Sequence, residues 1–169
     1  TSMLVKEETR ERIIAILKES DSLREACRYD ESLKLLKKAL SLSKRAAYLD
    51  GLIDSTLSIA DVYRIKGIYD KALDNYSEVM QLADAIGFER TKADAMLGLA
   101  LSLKAQGFWQ EGLINIRKAF TIYKRNNDKK GIAFSLWAEG ATLRVKGDIR
   151  KAIDKFTQAK RLFSSMVHE

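Results

Sequence analysis

The sequence predicts an all-α protein: a right-handed α-solenoid of four antiparallel helix pairs, eight helices in all. Three observations predict it. The 169 residues contain nine glycines and no proline, and they are rich in Leu, Ala, Lys and Glu, which lose least on entering a helix. Apolar residues recur at spacings of three and four, one stripe per helix. A motif also returns at a constant interval. "KGIYDKAL" (66–73), "QGFWQEGL" (106–113) and "KGDIRKAI" (146–153) place Gly67, Gly107 and Gly147 forty residues apart (107 − 67 and 147 − 107). One step earlier, "ACRYDESL" keeps the motif with Cys27 in place of the glycine.

Each unit reads as helix, tight turn, helix. The glycine ends the first helix in a left-handed turn that other residues adopt at a cost. The first pair covers 4–26 and 29–46. It is the least regular, because Glu19 and Ser20 stand in packing columns, and it is either a degenerate repeat or an N-terminal cap. The second pair covers 49–66 and 69–86. Gly87 and the cluster Asn126-Asn127-Asp128 supply the turns that lead into the third pair (90–106 and 109–126) and the fourth (130–146 and 149–166). The four units, 4–46, 49–86, 90–126 and 130–166, form one domain in this reading. The leading Thr1-Ser2 reads as a tag remnant.

Aligned on the glycines, the columns predict the packing. Seven residues before the origin stand Ser20, Ala60, Ala100 and Gly140; five after it stand Ser32, Ala72, Gly112 and Ala152. Small side chains at both places let the two helices of a pair approach closely at their crossing. Large residues (Leu23, Tyr63, Leu103 and Leu143, then Leu36, Tyr76, Ile116 and Phe156) fill the space beside it. Trp109 shares a column with Tyr29 and Tyr69 and reads as packing. In the last unit Phe156, Leu162 and Phe163 are expected to be partly open, because repeat arrays normally cover that face with a further helix. That suggests either a fragment of a longer protein or self-association through this helix.

This pattern resembles the tetratricopeptide repeat. The segment "LSIADVYRIKGIYDKALDNYSEVMQL" (57–82) carries most of the family's residues: Leu, a small residue, Tyr, then Gly-x-Tyr-x-x-Ala-Leu, an aromatic, and a small-residue column. The usual period is 34 residues with a proline closing the second helix. Here the period is forty, and Lys44, Asp84, Lys124 and Ser164 stand where that proline would be. The resemblance implies a protein–protein interaction scaffold or adaptor binding a peptide segment in a concave groove. It leaves two alternatives: a nucleic-acid-binding helical repeat, or a peptide-sensing domain from a larger regulator.

Composition excludes other classes. At 46% hydrophobic and 31% charged residues, the chain is neither disordered nor membranous, and it has no apolar run near the ~18 residues of a membrane span. A single cysteine, Cys27, permits no internal disulfide and fits a cytoplasmic protein. The lone histidine, His168, is at the far end of the chain from it, so no Cys–His nucleophile pair is expected. No metal-ligand spacing or phosphate loop is present, and neither a catalytic function nor a cofactor is expected.

The resemblance places the groove on the first helices, at positions ten, six and three before the origin. The candidate binding residues are therefore Leu57, Leu97 and Trp137; Asp61 and Leu101; and the basic column Arg24, Arg64, Lys104 and Arg144. That column has two readings. Cations near helix C-termini ease the helix macrodipole, or they form a rail that grips an acidic peptide. Trp137 likewise reads either as core or as an exposed anchor. The net charge of +7 favours acidic partners. The charges are interleaved with Asp and Glu, which disfavours nucleic acid.

Overall fold

The computed structural model describes residues 3–167. Eight helices are present among them: α1 (Met3–Glu25), α2 (Tyr29–Arg45), α3 (Leu49–Ile65), α4 (Tyr69–Ile86), α5 (Glu89–Ala105), α6 (Trp109–Arg125), α7 (Lys129–Lys146) and α8 (Ile149–Val167). The fold class is the all-α helical repeat expected, and each helix boundary lies within one residue of its sequence-based position.

The turns explain this agreement. Gly67, Gly107 and Gly147 adopt φ of +79°, +89° and +98° just past α3, α5 and α7. Cys27 takes the same left-handed conformation without being glycine (φ +60°). The turns between pairs do so as well, at Ala47 (+51°), Gly87 (+77°) and Asn127 (+53°). The seven turns joining the described helices therefore repeat every twenty residues. In each, the amide after the left-handed residue donates to the carbonyl five residues back, as Ile68 does to Tyr63 and Phe108 to Leu103, both at 2.9 Å. The left-handed residue donates to the carbonyl three back, as Gly107 does to Lys104 at 3.0 Å. This double bond satisfies carbonyls that the helix end would otherwise leave unpaired.

The chain divides into two compact units, one ending at Val79 and the other beginning at Met80. In the first, α2 packs on both α1 and α3. Ile13, Ile16 and Ala39 form its core, with Leu17, Leu35, Leu42 and Tyr48 against them. In the second, α6 lies against α5 and α7, and α7 against α8. Its core runs through Met96, Ile122 and Tyr123, then Ala100, Ile116 and Ala138, then Leu113, Leu143 and Ala152.

The small-residue columns face each other as expected. Ser32 Oγ donates to the Ser20 carbonyl at 2.8 Å across the α1–α2 crossing. A Cβ on Gly112 would stand 3.3 Å from the Ala100 carbonyl, and one on Gly140 only 2.9 Å from the Phe156 ring. The first pair departs from expectation at one position. Ser20 is buried, but Glu19 is exposed. Of its counterparts, Ile59 and Glu139 are buried and Leu99 is half-buried; Glu139 meets Arg117 of the preceding helix at 3.4 Å, and among the described residues no pair precedes α1. Phe156, Leu162 and Phe163 are half-buried, Phe163 meeting Phe134 edge to face at 5.1 Å. His168 lies outside the described residues.

Candidate functional site

The candidate residues fall on the same helical face of successive first helices, and the two units treat them differently. In the first unit the cations are turned inward. Arg64 Nε donates to the Tyr76 hydroxyl at 2.9 Å, and that hydroxyl donates to Asp61 Oδ1 at 2.5 Å. Asp61 also pairs with the Arg64 guanidinium at 3.6 Å and with Arg24 at 3.9 Å. Arg24 reaches Asp21 as well, at 3.4 Å. Burial, and then the Asp61 charge, push the Tyr76 hydroxyl well above its ordinary range. Asp54, one turn before Leu57, is raised as well, by partial burial and by Asp50 and Asp21 nearby. The face of α3 is thus balanced in charge. Arg64 is tied into the packing, where the basic column alone reads as an exposed rail.

The second unit presents a different surface. Leu97 and Leu101 on α5 are half-buried against Ala100, Ile116 and Ala138. Trp137 on α7 is 44% exposed, which favours the anchor reading over the core one. Lys104 holds its ammonium 6.0 Å from the Trp137 ring. Arg144, exposed, lies 6.0 Å from the Phe156 ring. Phe134, 42% exposed, stands one turn before Trp137 on α7. Sequence reasoning missed Phe134. Its column reads Ile14, Asp54, Asp94 and Phe134, so an apolar residue at a place held by acids in the two middle units was the available signal. Trp109 is packed as expected, against Leu113, Leu143 and Ala152, with the Lys146 ammonium 5.2 Å from its ring.

Charge follows the same division. Residues 1–79 carry 14 Lys/Arg and 14 Asp/Glu, whereas residues 80–169 carry 16 and 9, so the whole net charge of +7 belongs to the second unit. Within that unit, α5 and α7 combine an apolar, partly aromatic surface with cations near their C-terminal ends. Cations over aromatic faces gain ~0.5–1 kcal/mol from the ring at exposed sites. Among the described residues no group of His, Cys, Asp and Glu could hold a metal ion, and no helix is long and apolar enough to cross a membrane.

Residues 12–85 match the family model described as tetratricopeptide repeat. A search of curated proteins found no match. Among solved structures the chain is similar to BtubC from P. vanneervenii, with a TM-score of 0.75 and 17% identity over 93% of this chain and 65% of that one. This chain therefore spans a little under two thirds of that protein. It is also similar to the TPR domain of Arabidopsis FLU (TM-score 0.64, 20% identity, 69% of this chain and 98% of that one). A putative kinesin light chain from Podospora anserina has a TM-score of 0.66 at 13% identity, covering 92% and 76%. At these identities the likeness is one of fold.

Proposed function

We propose, from the premise that this chain belongs to the tetratricopeptide-repeat family, that it is a non-enzymatic adaptor holding an acidic peptide segment of a partner on the α5–α7 face of its second unit. Proteins of this fold serve in general as protein–protein interaction scaffolds. The finer reading rests on one observation: Trp137 stands exposed on α7 with Lys104 of α5 over its ring, in the unit that carries all the net positive charge. Apolar contact would supply most of the affinity, and Lys104 and Arg144 would set orientation and encounter rate. Arg24, Asp61 and Arg64, in the first unit, act in folding rather than in ligand contact in this reading, because their charges already satisfy one another.

The test is peptide display on the full chain. The enriched sequences should pair Asp or Glu with Leu or an aromatic residue, and their binding should weaken as salt rises. Lys104→Glu with Arg144→Glu should reduce affinity about tenfold, a change of ~1.4 kcal/mol, with the helical circular dichroism unchanged. Single-stranded poly-U should bind more weakly than the selected peptides. Enrichment without acidic bias, or affinity unmoved by the double reversal, would defeat the reading.

A further inference from the structure

The basic column is built differently in the two units, and the difference lies three residues before each cation. That place holds Asp21 and Asp61 in the first unit, Leu101 and Ala141 in the second. Residues three apart share a helical face, so Arg24 pairs with Asp21 at 3.4 Å and Arg64 with Asp61 at 3.6 Å. Arg64 has a further acceptor on the second helix of its own pair, the Tyr76 hydroxyl at 2.9 Å. Two repeats on, Arg144 stands in the place of Arg64, Ala141 in that of Asp61 and Phe156 in that of Tyr76. The Arg144 guanidinium carbon lies 6.0 Å from the centre of the Phe156 ring. Neither a methyl group nor a phenyl ring replaces the oxygen acceptors that Arg64 has. Among the described residues Arg144 forms no ion pair.

Both replacements lie within Arg144's own helix pair, so they do not depend on what lies beyond α8. The side chains of Arg24 and Arg64 are 29% and 28% exposed, whereas Arg144 is exposed. Phe156 packs against Leu113, Leu143 and Ala152, so the ring beside the guanidinium is held in place. A guanidinium presents five N–H donors in a planar fork that matches the two oxygens of a carboxylate; the ammonium of Lys104 is a point charge without that geometry. We propose, on the reading that the α5–α7 face holds an acidic peptide, that Arg144 is the residue that reads an Asp or Glu carboxylate of that peptide. The ligand supplies the acceptor that Asp61 supplies to Arg64, and the shape of the guanidinium, beyond its charge, sets the preference for a carboxylate.

The probe is the acidic peptide enriched by display on the full chain, labelled and titrated by fluorescence anisotropy. Arg144→Lys keeps the charge and the fold, because the side chain is exposed, and should weaken binding about fivefold, the upper end of what one exposed charge pair contributes. Arg64→Lys, in the same column, should leave the affinity within about twofold. Each Asp or Glu of the peptide is then changed in turn to Asn or Gln. At one position the amide should weaken wild-type binding about tenfold, and with that amide peptide the Arg144→Lys chain should bind as the wild type does, since the coupled pair is then lost on both sides. If display yields no peptide that saturates below ~1 mM, the reading of the α5–α7 face fails and the role of Arg144 with it. If an acid-dependent peptide binds but Arg144→Lys is indifferent, or its loss persists with every amide peptide, or Arg64→Lys costs as much, the role of Arg144 is overturned and the reading of the face stands.

Discussion

Gly131→Ala should destabilise the second unit, and the structure explains how. Gly131 is the third residue of α7, in ordinary helical conformation, so alanine would normally help there by up to ~1 kcal/mol. A Cβ at this position, however, would lie 2.2, 2.5 and 2.6 Å from three atoms of the Tyr123 ring. Ordinary contact begins near 3.4 Å, so the ring or the helix must shift by about 1 Å. Tyr123 is 1% exposed and its hydroxyl donates to Asp94 at 2.5 Å, so the ring has little room to yield. Overpacking of this kind costs ~1–3 kcal/mol, leaving a net loss of ~1–2 kcal/mol, or roughly 2–8 °C in Tm for a chain of this size. The decisive measurement is a double-mutant cycle read by Trp109 and Trp137 fluorescence during urea unfolding. Forty residues earlier, the corresponding positions hold Ala83 and Thr91. In a Tyr123→Ala background, itself costing ~3–5 kcal/mol, Gly131→Ala should become neutral or stabilising. If its cost persists there, or is absent from the wild-type background, the close approach of α7 to Tyr123 is not what requires the glycine.

Two further outcomes follow from the turns and the buried tyrosines. Left-handed backbone disfavours alanine by ~1–2 kcal/mol, partly offset by the greater freedom of glycine in the unfolded chain. No atom lies within 4 Å of a Cβ on Gly107. Gly107→Ala should therefore lower Tm, Ala47→Gly should raise it, each by an effect of ~0.5–1 kcal/mol, and a rise in Tm for Gly107→Ala would contradict the account. Tyr76 provides a pH signature. Its hydroxyl is raised in the folded state by burial and by Asp61, so its contribution is complete below the ordinary tyrosine value near 10 and is lost as pH climbs beyond it. Tyr76→Phe should cost ~0.5–1.5 kcal/mol at neutral pH and flatten the fall of Tm above pH 10; an unchanged alkaline slope would show that Tyr76 does not titrate in this way.

Much of the fold was legible because the signals were redundant. The forty-residue period, the glycine stops and the small-residue columns all set the same register, so Gly67, Gly107 and Gly147 fell where expected. The twenty-residue spacing of the turns was hidden, because Cys27, Ala47 and Asn127 reach left-handed backbone without glycine. There the capping hydrogen bonds and the packed flanking helices impose a conformation that local preference does not announce. The site was less legible, since its chemistry depends on which helices face one another. Arg64 resembled Lys104 in sequence, but its fate is decided by Tyr76, whose column otherwise holds the non-bonding Leu36, Ile116 and Phe156. The exposure of Trp137 depended in the same way on neighbours that its own column does not reveal.

The sevenfold recurrence of one turn separates the period of the backbone from the period of the side chains. Any helix-and-turn block of twenty residues could be spliced into another joint without disturbing the backbone stop signals. The side chains would not tolerate it. Inserting a single block exchanges the roles of every helix that follows, so that a stripe evolved to be covered, such as Leu113 with Ile116, would be presented where Leu97 and Trp137 now stand. Only duplications of an even number of blocks preserve that parity. The length of this protein can therefore grow or shrink in steps of forty, although nothing in its main chain distinguishes forty from twenty.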